Sequence, residues 1–158
     1  MRSTNLSALN VFKFISTLGP VGYMPVAPGT FGTAVSLLFI AALRPSGIML
    51  ASLIIISIIV GTVASHFAEI SFGEKDPQKI VIDEFTGFLV SMSFLEITTT
   101  TLILAFIFFR IYDILKPPPI RSFEVYFRGG VGIMLDDILA AVYTLISVLI
   151  CNTLIKAF

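Results

Sequence analysis

The sequence predicts an all-α integral membrane bundle of about five spans, and three observations predict it. Of 158 residues, 56% are hydrophobic and only 13% charged, with a mean hydropathy of +1.00; a soluble domain carries about a quarter charged residues. Five apolar segments follow one another with short separations. Threaded alternately through a bilayer, they place most of the basic residues on one side, as the positive-inside rule requires. Formal net charge is zero and the basic residues are scattered, which excludes a nucleic-acid-binding surface. Without an internal repeat or a polar stretch long enough for a soluble unit, residues 1–158 read as a single membrane-embedded domain.

Residues 1–20 carry an early Arg2 and an apolar run broken by Lys13, with no small-residue cleavage pattern. The segment is expected to stay on the protein as an interfacial helix, with Val11, Phe12, Phe14, Ile15 and Leu18 toward lipid. The apolar segments are Phe31 to Leu43, Ile48 to Phe67, Ile80 to Leu95, Thr98 to Leu115 and Val131 to Ile155. A span needs about 20 residues. The second, fourth and fifth meet that need, whereas the short first and third are expected to be tilted, re-entrant or buried in protein. Arg44-Pro45-Ser46-Gly47 makes the first turn. The third and fourth segments are close enough to form a tight helical hairpin. Cys151 stands alone in an apolar run, so it reads as a small hydrophobe rather than a disulfide or thiol ligand.

With the N-terminus inside and the C-terminus outside, Arg2, Lys13, Lys75, Lys79, Lys116, Arg121 and Arg128 fall on the inner side. Arg44 and Lys156 fall outside, and Arg110 lies near the inner end of the fourth span. The same threading brings Asp76, Asp83, Glu84, Asp113, Asp136 and Asp137 toward the inner surface, leaving Glu96 on the outer one. Ionisable groups inside spans are costly and face a bundle interior or water. Asp136 and Asp137 point about 100° apart on their helix, so one addresses a central site and the other a neighbouring helix. Asp83 and Glu84 sit in the first turns of an apolar helix, where the helix dipole accounts for one carboxylate but not for these two and Asp76 together. Arg110 and Asp113, three residues apart, share a helix face. Pro117-Pro118-Pro119 ends that helix and leaves Lys116 and Arg121 at the interface, where they can anchor the helix or cradle a phosphate. Gly29, Thr30, Gly32 and Thr33 precede an apolar helix, where free backbone N–H groups can hold an anion or make a simple turn.

Hard oxygen donors with one His point to Mg²⁺ rather than zinc. His66 reads as a packed or interfacial imidazole, and Glu69 as a further ligand or a marker of the water boundary. The sequence has no Cys-x5-Arg loop, no D-x-D-x-T motif, no second His and no P-loop. Acids beside cations therefore suggest metal-assisted transfer to water. The competing class is an ion-coupled carrier, which would spread its acids through the membrane depth.

Four segments in order, PVAPGTFGT, DPQKIVIDEFTG, FRIYDILKPPPIR and GGVGIMLDDILAA, resemble the phosphatidylglycerophosphatase A family from about Tyr23 to Ala141. The resemblance implies an all-helical, Mg²⁺-dependent phosphatase. Its activity would be removal of the terminal phosphate of phosphatidylglycerophosphate at the cytoplasmic face of a bacterial inner membrane. Asp83 and Glu84 match the family's acidic pair, Asp113 and Lys116 its helix-end motif, and Asp136 and Asp137 its di-aspartate. Ala141 stands where the family pattern ends in Gly. On this reading Asp83, Glu84, Asp136 and Asp137 hold metal, and Asp83, Asp113 and Asp137 supply the catalytic carboxylates. Thr30, Arg110, Lys116 and Arg121 receive the phosphate, with Glu69 and Asp76 as additional candidates. The motifs do not decide which acid is the base.

Overall fold

The structure is a computed structural model that describes residues 2–121 and 127–157, with side chains described for residues 7–121 and 127–155. The side chains of Arg2 and Lys156, used above in the charge count, lie outside those described. The helices run in the order α1 (Arg2–Ser16), a 3₁₀ turn (Val21–Tyr23), α2 (Pro28–Leu43), α3 (Gly47–Phe72), α4 (Ile82–Ser91), α5 (Thr99–Leu115) and α6 (Gly129–Ala157). There are no strands among the described residues.

Local chemistry sets the boundaries. Pro28 occupies the first turn of α2, where its missing N–H costs nothing. The Ser46 side chain caps α3 by accepting from the Met49 N–H at 3.4 Å, and Gly73 closes it in the left-handed region at φ 73°. Thr98 caps α5 by accepting from the Thr101 N–H at 3.1 Å. Lys116 ends α5 at φ 43°, just before the three prolines.

Of the five expected spans, helix length and composition identify two: α3 and residues Gly129–Ile155 of α6 are long and apolar enough to cross a membrane. In the most apolar 18-residue windows only 17% of α3 and 22% of α6 is buried. Ile55, Ile56, Ile59 and Val63 of α3 stand exposed, as lipid-facing side chains do and core side chains of a soluble helix do not. The expected third span is divided. Only Ile82–Ser91 is helical, about 15 Å at 1.5 Å per residue, too short to cross as a helix. The chain leaves α4 through Met92 to Leu95, with Phe94 at φ 64° and 94% exposed.

The short helix α4 is the centre of the bundle, packed against α2, α3 and α6. Phe88 and Leu89 of α4, Phe109 of α5, and Ala140, Ala141 and Val148 of α6 build the main core. The N-terminal ends of α2, α4 and α6 and the C-terminal end of α5 gather at one end of the bundle, where their side chains line a common cavity.

Candidate functional site

That cavity is about 380 Å³ and is lined by Asp76, Asp83, Glu84, Arg110, Asp113, Lys116, Asp136 and Asp137, with Gly29 and Gln78 at its walls. Asp83 and Glu84 come from the first turn of α4, and Asp137 comes from α6. These three carboxylates each offer an oxygen within 4.8 Å of the others. Asp83 and Asp137 are buried. Asp83 Oδ1, Glu84 Oε2 and Asp137 Oδ2 are buried without a hydrogen-bond partner. Burial, and then the neighbouring Glu84, push the Asp83 carboxyl well above the usual carboxylate range. Glu84 is pushed up to about 8 by burial first and by Asp137 second. Converging carboxylate oxygens with no donor are what a hard cation complements, so the residues present fit Mg²⁺.

The cations stand beside this cluster. Arg110 Nη1 donates to Asp113 Oδ2, lies 3.9 Å from Glu84 Oε1, and donates to the buried Thr33 hydroxyl at 3.4 Å. Lys116 Nζ lies 3.0 Å from Asp136 Oδ2. Asp136, expected as a metal ligand, thus pairs with Lys116 and is not in the three-carboxylate group, because consecutive helical residues diverge by about 100°. Thr30 and Arg121, expected at the phosphate, are not among the cavity-lining residues. Arg121 is exposed beyond the prolines, and Thr33, one turn further along α2 from Gly29, is the threonine that meets Arg110. Glu69 holds the Asp76 loop: its Oε1 accepts from the Asp76 N–H at 3.3 Å. His66 is exposed and packs edge-on against Phe67.

Two glycines make the close approaches possible, which the residue-by-residue reading of charges missed. A Cβ at Gly29 would lie 1.9 Å from Glu84 Oε1, and one at Gly87 would lie 3.0 Å from the Asp137 Cβ. The signal was present in the G-T-F-G-T and D-E-F-T-G spacings, where a glycine stands one turn from a polar residue.

The phosphatidylglycerophosphatase A family model matches residues 14–152. The phosphatidylglycerophosphatase A of Haemophilus influenzae is 34% identical over 158 residues, covering 88% of this chain and 93% of the relative. That of Escherichia coli K12 is 36% identical over 123 residues, covering 77% and 72%. A Bacteroides thetaiotaomicron protein, provisionally named a phosphatidylinositol-3-phosphatase, is 36% identical over 143 residues, covering 85% and 89%. No solved structure matches the chain. The matched residues include every element that lines the cavity, and by that match the chain belongs to the phosphatidylglycerophosphatase A family.

Proposed function

We propose that this protein hydrolyses the terminal phosphate monoester of phosphatidylglycerophosphate to phosphatidylglycerol and phosphate, at the cytoplasmic face of the membrane and with Mg²⁺. The observation that carries the reading is the convergence of Asp83, Glu84 and Asp137, with unpartnered buried oxygens, beside Arg110 and Lys116 in one cavity. The family names supply the substrate, and the bias of basic residues toward this end supports the cytoplasmic side. The carrier reading has no support in the family match.

Asp83, Glu84 and Asp137 would hold the ion. Bound there, Mg²⁺ supplies charge compensation at the phosphoryl oxygens and acidifies a water. Arg110 offers planar donors to the phosphate, oriented by Asp113 and Thr33. Lys116, aimed by Asp136 from the facing helix, adds a point charge. Asp113 accepts the proton of the attacking water as the water oxygen bonds to phosphorus and the phosphorus–ester oxygen bond breaks, and it returns that proton to the departing glycerol oxygen. A monoester dianion is a poor electrophile until its charge is offset, which gives both cations a task.

The test is phosphate release by purified protein in detergent from phosphatidylglycerophosphate, with Mg²⁺ or with EDTA, and with phosphatidylinositol 3-phosphate as comparison. Metal-dependent release preferring phosphatidylglycerophosphate is expected. Release unaffected by EDTA would remove the metal assignment, and preference for the inositide would remove the substrate.

A further inference from the structure

A second cavity of about 360 Å³ adjoins the first, sharing Ala27, Pro28 and Gln78 with it. Its wall carries Lys79, together with the 3₁₀ turn at Gly22 and Tyr23 and the carboxylate of Glu74. Lys79 Nζ lies 5.2 Å from the centroid of the Phe72 ring, and Lys13 Nζ lies 4.6 Å from the same centroid. Neither lysine has an ion pair with a carboxylate among the described residues, Glu74 included. Both ammonium groups lie near one ring, so their positive charges add to the potential on this side of the molecule, where an anion is favoured. The backbone that bears Lys79 is fixed. Gly22 lies so close that a Cβ there would be 2.0 Å from the Lys79 carbonyl oxygen, and Val81 N–H donates to Ser16 O at 2.9 Å.

The proposed substrate carries two phosphates, a terminal monoester and an internal diester three carbons away. The monoester needs the carboxylate cluster and Arg110 in the first cavity. We infer that the adjoining cavity is the subsite for the internal phosphodiester, with Lys79 as its principal cation, Lys13 reinforcing the field and Gln78 at the junction. Lys79 is therefore a specificity-determining residue for phospholipids whose monoester is followed by a second phosphate. Lys79 shares this cavity's lining with the exposed Tyr23 and Met24, an apolar rim at which a diester tied to acyl chains can rest.

This inference rests on the phosphatase reading, and the two fail separately. Wild-type protein that releases no phosphate from phosphatidylglycerophosphate in Mg²⁺ refutes that reading. The subsite is tested by inhibition of that release, at excess free Mg²⁺, with propane-1,3-diyl bisphosphate and with propyl phosphate. Wild type is expected to bind the bisphosphate at least about tenfold more tightly, the worth of one charge-assisted contact. Lys79→Met keeps an apolar stem against Phe72 and should reduce that ratio to within about twofold, raising KM for the lipid far more than it lowers kcat. Lys79→Arg should preserve the ratio. A wild type with no preference for the bisphosphate, or a Lys79→Met ratio equal to that of wild type, overturns the subsite. A loss that is the same for both inhibitors and vanishes in neutral detergent micelles also overturns it, because Lys79 would then serve only to draw the protein to anionic surfaces.

Discussion

Asp83, Glu84, Asp136 and Asp137 each keep one buried oxygen without a donor, but Asp136, unlike Asp137, has its other oxygen 3.0 Å from Lys116 Nζ and stands outside the three-carboxylate group. This difference between adjacent residues predicts different consequences for one substitution. Asp83→Asn and Asp137→Asn remove a proposed metal ligand and should lower phosphate release at least about a hundredfold, with yield and melting temperature in metal-free buffer near those of wild type. Asp136→Asn should be milder in release and should raise KM, because it frees Lys116 rather than emptying the cluster. Equal losses of kcat in Asp136→Asn and Asp137→Asn would refute the division. The acids themselves were readable as rare charges in apolar runs. Their partners were not: which aspartate of the pair faces Lys116 depends on the rotation of α6, which no local pattern fixes.

Helix α4 shows where periodicity and length mislead. Residues 80–95 are apolar enough to suggest a span, yet the helix stops at Ser91. A ten-residue helix that begins at the cavity presents Asp83 and Glu84 from its first turn into the space between α2 and α6. The turns at Arg44 to Gly47 and at the prolines were plain in the sequence, because proline and glycine dictate local geometry. The close packing of helices was not, since it is decided by which glycine faces which neighbour. Two glycine substitutions separate the consequences. Gly29→Ala meets the end of the flexible Glu84 side chain at 1.9 Å, so the carboxylate swings away and activity falls at least about tenfold while the fold holds. Gly130→Ala meets the backbone oxygen of Thr62 at 1.9 Å. There α3 and α6 must part, and thermal unfolding should show a loss of about 1–3 kcal/mol.

Across the bundle, polar function and apolar surface are segregated. The carboxylate cavity lies at one end, and a second opening lined by Glu96, Thr98 and Asn152 lies at the other. The all-helical class and this gathering of acids followed from composition and charge order. The number of crossings did not, because ten helical residues and a bent exit can occupy the same apolar stretch as a complete span. On the proposed cytoplasmic placement of the cavity, single cysteines in a Cys151→Ser background should react with a membrane-impermeant maleimide at Gln78 only after permeabilisation. One at Ser46 should react in intact spheroplasts, and the opposite pattern would invert the orientation. The three clustered carboxylates also have a consequence for endurance rather than chemistry. They join α4 to α6 at the cavity end of the bundle, where burial without a cation holds Asp83 and Glu84 toward their neutral forms and makes ionising them costly. A bound Mg²⁺ would act as a removable rivet, adding about 2.7 kcal/mol when its free concentration is a hundred times Kd. The melting temperature should therefore climb with the logarithm of Mg²⁺ concentration in wild type and stay flat in Asp137→Asn, so that the protein's durability in the membrane would report the ion supply of the cell.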